Sequence, residues 1–225
     1  MSGERDGLRP GFDWEVAKAQ LAAADPRLRM AAARVGWPEA PPSWRKPPSL
    51  FDGLVRAVIA QQLSARAAGA VERRVEEALG CPLTPAAVLK GGETGLRALG
   101  LSAAKAQSLI GLADAALRGS LPLGAEAAVL SDAALLERLC RHRGVGRWTA
   151  EMVLIFTLGR PDVLAVADLG LRRGYAHLLG RGRPVSAGEL ASAGEAWRPH
   201  RTLASLLLWR LAAHGPLDQH QCQGS

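Results

Sequence analysis

The stretch LLERLCRHRGVGRWTAEMVLIFTLG (135–159) reads as two helices closed on a tight turn, Gly144-Val145-Gly146, with Arg147 and Thr149 opening the second. Glycine reaches backbone conformations closed to other residues and lets a partner come close to the chain. The N–H groups at the start of the second helix then face outward and form an anion site. Two such groups on one phosphate grip a nucleic acid without reading its bases. A GxG is also an ordinary way to turn between two helices, so the turn by itself leaves both readings open.

Helix signals recur on either side. Asp25-Pro26 places a cap before a proline and predicts a helix to about Val35. Ser49 with Asp52 resembles a capping box ahead of LVRAVIAQ, and Ser64 opens ARAAGAVERRVEEALG, which ends at Gly80. Thr84-Pro85, Ser102 and Ser131 open further helices. From 131 onward helices are predicted near 131–140, 147–159, 170–179, 187–197 and 200–213. The proline-rich WPEAPPSWRKPP (37–48) is predicted non-helical, and DVLAV (162–166) is the one short strand candidate. The fold class is therefore all-α, with roughly ten helices and no internal repeat.

Composition sets the outer limits. With 225 residues, 48% of them hydrophobic, the chain is long enough for a buried core and too apolar for a disordered one. It has no 18-residue apolar run, so no membrane span or membrane partner is expected. The charged start, MSGERDGLRPGFDWE, lacks the apolar stretch of a signal peptide. Cys81, Cys140 and Cys222 are scattered and odd in number, which gives no disulfide framework and no CxxC. A cytoplasmic protein is expected. The net charge is +7, and between Cys140 and Arg210 eleven arginines face five acids. Arginine suits bidentate contact with phosphate, although a G+C-rich genome would also raise Arg, Ala and Gly.

Further residues extend the hairpin's meaning. GVGRWTA is followed, twenty residues past Trp148, by the aspartate of DVLAVADLGLRRG, Asp168. IAQQLS (59–64), LGLSAAKAQSLIGLA (99–113) and WRPHRTLASLLLW (197–209) accompany it in order. Together these motifs resemble the helix-hairpin-helix (HhH-GPD) DNA glycosylases, in particular the AlkA-type 3-methyladenine DNA glycosylase II branch, from about Ser49 to His214. Arg143 stands where that family usually has a proline before the hairpin. The 48 residues before Ser49 are too few for the β-rich domain of some relatives, and three cysteines cannot supply the four-cysteine iron–sulfur motif of another branch.

The resemblance implies two helical subdomains with a cleft between them: 1–49 packing with 167–225, and 50–166 forming a helical barrel that carries the hairpin. It implies a monomer acting on double-stranded DNA that contains alkylated bases, in base excision repair. Asp168 is the implied catalytic carboxylate, and it is equally well placed to cap the helix LGLRRGYAHLL. Trp148, Met152 and Trp209 are implied for the base pocket, where an indole attracts a cationic purine. Trp14, Trp37, Trp44 and Trp197 are assigned to packing. Trp148 occupies the position where strand-nicking members carry a nucleophilic lysine, so a monofunctional enzyme is expected. Gln62, or else the adjacent Leu63, is implied as the wedge that fills the space of a flipped base. Gly144, Val145, Gly146, Arg147, Thr149 and Lys105 are implied phosphate contacts. No cofactor is expected in catalysis; a structural Na+ or K+ is implied on the carbonyls of Cys140, His142 and Val145. Two alternatives stay open: another lesion specificity within the family, and a non-catalytic hairpin module that only anchors DNA.

Overall fold

A computed structural model of the chain describes residues 13–45 and 49–215; Cys222 and Lys46–Pro48 of the proline-rich stretch lie outside them. Every regular element among the described residues is helical. None of these helices is long and apolar enough to cross a membrane. The chain divides into two compact units. Lys46–Leu158 forms one, and the described parts of Met1–Arg45 and Gly159–Ser225 form the other.

The central unit holds α4 (Leu50–Ala60), α5 (Ala65–Leu79), α6 (Pro85–Ala98), α7 (Ala103–Leu117), α8 (Gly124–Val129), α9 (Asp132–Cys140) and α10 (Arg147–Met152). The flanking unit holds α1 (Trp14–Ala24), α2 (Pro26–Val35), the single turn α3 (Pro42–Arg45), α11 (Leu169–Leu178), α12 (Ala187–Gly194), a 3-10 turn (Glu195–Trp197) and α13 (Arg201–His214). The expected start signals work as side-chain caps. Asp25, Ser49, Ser64, Thr84, Ser102 and Ser131 each accept a backbone N–H from the first turn of the helix they precede. Such a cap contributes about 1 kcal/mol.

Four expectations are corrected. Ser49 caps α4, but the Asp52 carboxylate does not reach back to it; buried, it takes Arg56 Nε at 3.2 Å and Leu83 N at 3.4 Å instead. The reciprocal capping box forms elsewhere, between Ser186 and Glu189. Pro42–Arg45, within the stretch predicted non-helical, makes one helical turn. Proline at the first position of a helix loses no hydrogen bond, which is why the turn tolerates it. The segment 162–166 is not a strand. Val163 donates its N–H to Thr202 Oγ1 at 3.0 Å and accepts Ser205 Oγ at 3.2 Å, so side chains of α13 take the place of a partner strand. These bonds also tie the segment to the flanking unit, whose second stretch of chain begins at Gly159. The helix predicted over 147–159 is α-helical only to Met152 and continues as a π-helix, Val153–Thr157.

Candidate active site

In the flanking unit the site is built where α11 meets α13. Asp168 ends the irregular segment and caps α11, its Oδ1 accepting Leu171 N at 2.8 Å. The same oxygen accepts the Trp209 indole Nε1–H at 2.8 Å. The carboxylate is therefore held from two directions, by a helix terminus and by a side chain of α13. Both residues are half-buried.

Two glycines permit this contact. A Cβ on Gly170 would sit 2.9 Å from Trp209 Cδ1 and 3.0 Å from Asp168 Oδ1. One turn on, a Cβ on Gly174 would collide with the Leu208 carbonyl and lie 3.0 Å from Leu208 Cα. Spaced four apart, both lie on one face of α11, and the backbones of α11 and α13 close up there. Sequence reasoning missed Gly170 and Gly174. Their spacing was the available signal.

In the central unit the hairpin forms as predicted, between α9 and α10. Gly144 has φ +83°, and a Cβ there would lie 2.5 Å from Ser108 Cβ on α7. Gly146, exposed and with nothing near its missing Cβ, precedes α10 and supplies no side-chain cap to it. Val145 turns its side chain inward. Burial pushes the His142 imidazole below its ordinary value, so at neutral pH the ring is uncharged. It pushes the Cys140 thiol up, away from the reactive thiolate. The positive charge at the turn comes instead from Arg141, Arg143 and Arg147. Arg147, 73% exposed, pairs through Nε with the buried Glu151 at 2.9 Å, and Arg141 pairs with Glu137 at 2.6 Å.

Two implied phosphate contacts face inward. Thr149 is buried, and its Oγ1 accepts Gln61 Nε2 at 2.8 Å. What it can offer a phosphate is its backbone. Lys105 Nζ donates to the carbonyls of Ile59 and Gln61, each at 2.8 Å. Gln62 has φ +56°, the one non-glycine residue with positive φ among those described, and it is exposed. Leu63 beside it is 41% exposed. A left-handed glutamine costs about 1 kcal/mol and persists only where its surroundings impose it. Trp148 is half-buried, and Met152, one turn on along the same face of α10, is buried.

The other tryptophans are placed as packing residues. Trp14 and Trp44 meet edge to face with centroids 5.7 Å apart. Trp197 is fully buried against Tyr175 and donates to Asp25 Oδ2 at 3.3 Å. Trp37 is half-buried.

The family model of the HhH-GPD superfamily of base excision DNA repair proteins matches residues 55–199. The chain belongs to that superfamily. DNA-3-methyladenine glycosylase 1 of Schizosaccharomyces pombe is 38% identical over 162 residues, 71% of each chain. Among solved structures, a 3-methyladenine DNA glycosylase of the same yeast in complex with abasic DNA superposes with a TM-score of 0.79 at 33% identity, covering 86% of this chain and 95% of that one. A DNA-3-methyladenine glycosidase from Bacillus halodurans gives 0.73 at 34% identity, over 87% and 88%. The superfamily's helical fold is the one described above.

Proposed function

We propose that this chain is a monofunctional DNA glycosylase of the 3-methyladenine II type, which removes alkylated bases from duplex DNA and leaves abasic sites. The observation that carries the reading is Asp168, fixed by Leu171 N and Trp209 Nε1 in a chain of this superfamily. Breaking an N-glycosidic bond builds positive, oxocarbenium-like charge on the sugar as the base leaves. A preorganised carboxylate stabilises that charge and orients the attacking water. The target base must first leave the stack, and exposed Gln62 is the residue to occupy its place. Cationic bases such as 3-methyladenine and 7-methylguanine gain attraction to an indole face, of order 1–2 kcal/mol when desolvated, and neutral bases gain less.

The test is incubation with duplexes that each carry one lesion, with released bases identified. Release of 3-methyladenine and 7-methylguanine is expected. Tight binding with no base released from any duplex would leave a hairpin module that only anchors DNA. Trp148 has no nucleophilic amine, so borohydride should trap no covalent protein–DNA adduct, and the strand should stay intact until alkali cleaves it. A trapped adduct would overturn the monofunctional reading. Trp209→Phe keeps an aromatic face and removes the N–H to Asp168. A hydrogen bond to a charged group contributes about 1.5–3 kcal/mol, so excision should slow by roughly ten- to a hundredfold for cationic and neutral lesions alike. A loss confined to cationic lesions would assign Trp209 to stacking alone.

The same reading places a monovalent cation on the hairpin carbonyls of Cys140, His142 and Val145. Uncharged main-chain oxygens suit a hard ion of this kind, and the His142 carbonyl, which accepts Val145 N at 3.1 Å, keeps a second lone pair. Among the described residues no group of three or more His, Cys, Asp or Glu side chains could hold a metal ion. When bound, Na+ or K+ would stiffen the turn and add charge facing a phosphate.

A further inference from the structure

Two hydrogen bonds connect the turn that carries Gln62 directly to the hairpin, α7 backs both loops, and all of these contacts lie within the central unit. Gln61 is the pivot. Its Nε2 donates to Gly144 O and to Thr149 Oγ1, both at 2.8 Å, and so bridges the glycine turn and the first turn of α10. Its own carbonyl, with that of Ile59, accepts Lys105 Nζ. Lys105 thus closes the C-terminal end of α4 just before the chain enters the left-handed conformation at Gln62. Ser108 lies one turn beyond Lys105 on α7, and it is the residue whose side chain leaves room only for glycine at 144. One face of α7 therefore backs both loops, with Lys105 under one and Ser108 under the other.

We infer that Gln61 and Lys105 are positioning residues that lock the Gln62 turn to the phosphate-gripping hairpin, so that seating the hairpin on the backbone fixes where the wedge enters the duplex. The inference rests on the glycosylase reading, and it gives Lys105 a role different from phosphate contact. Gln61 reaches the hairpin with two donors from one amide, which neither alanine nor the shorter asparagine reproduces. An ammonium donating to two carbonyls at a helix end offers little to a phosphate. A lysine that does bind phosphate adds about 0.9 to the salt slope of DNA binding.

Gln61→Ala, Lys105→Met, Lys105→Arg and the double variant Gln61→Ala/Lys105→Met test this in the full chain, well below each variant's melting temperature. Binding of a lesion duplex is read by anisotropy against salt. Flipping is read by the fluorescence of 2-aminopurine beside the lesion, and excision in single turnover. Each single loss should reduce both the flipping signal and the excision rate by tenfold or more. DNA affinity should stay within threefold, the salt slope should not change, and Lys105→Arg should recover part of the rate. The double variant should lose little more than either single one, because the residues act as one device. A salt slope reduced by about 0.9 in Lys105→Met would restore the phosphate role, and unchanged flipping in Gln61→Ala would overturn the coupling. Flipping needs no bond cleavage. A wild-type protein that flips but excises nothing would defeat the glycosylase reading and leave the coupling to be judged by the flipping signal.

Discussion

Asp168→Asn is expected to lose excision by about a thousandfold or more while folding and binding DNA as the parent does. The asparagine carbonyl can accept both Leu171 N and Trp209 Nε1, so the cap and the contact to α13 survive. Asparagine and aspartate are near equals as N-caps, and the lost charge at the helix end costs about 0.3–1 kcal/mol. What disappears is the negative charge facing a developing cation. A unit charge about 4 Å from the sugar, at an effective dielectric near 20, contributes about 4 kcal/mol, which is roughly three decades in rate. The measurement is single-turnover release of 7-methylguanine, with anisotropy as the binding control. A variant that keeps more than about a tenth of the parental rate would remove Asp168 from the chemistry and leave it a helix cap.

How far the sequence was legible follows the range of the interactions. The hairpin and the caps at Asp25, Ser64, Thr84, Ser102 and Ser131 are local, and local rules found them. Asp168 was visible because it is both a cap and a carboxylate at a recognisable spacing. Gln61 was not, because its partners Gly144 and Thr149 lie 83 and 88 positions away. The same holds for Lys105, a basic residue on a helix whose inward course depends on α4. The strand expected at 162–166 failed for a related reason: Val163, Leu164 and Ala165 are buried in succession, and the hydroxyls of Thr202 and Ser205 satisfy the Val163 backbone. The arginine-rich third also looks less uniform once folded. Arg198 and Arg201 bind Asp162 and Glu195, and Arg181 binds Glu189, so they serve the flanking unit's own packing. Arg143, Arg173 and Arg183 have no acidic partner among the described residues, so their charge is not offset by an ion pair there.

Gly174→Ala should be among the most damaging single-methyl changes to stability, even though alanine is the better helix former. In an open helix the swap favours folding by about 0.8–1 kcal/mol. Gly111, on the exposed side of α7 with nothing near its missing Cβ, supplies that control, and Gly111→Ala should raise stability. At Gly174 the new methyl would meet main-chain atoms of Leu208, not the movable end of a side chain. No rotamer change relieves the overlap, and α11 must move off α13. Overpacking of this kind typically costs about 1–3 kcal/mol, which outweighs the helix-propensity gain and lowers the melting temperature by several degrees in a chain of this size. The displacement also reaches the site, because the bond from Trp209 Nε1 to Asp168 Oδ1 crosses the same helix pair. Excision should fall about tenfold even at temperatures where the variant is fully folded, as that bond lengthens and the carboxylate loses an anchor. Calorimetry of Gly174→Ala and Gly111→Ala side by side decides the matter. Equal stabilities would mean that α11 and α13 do not close on Gly174, and that the contact between Trp209 and Asp168 has some other support.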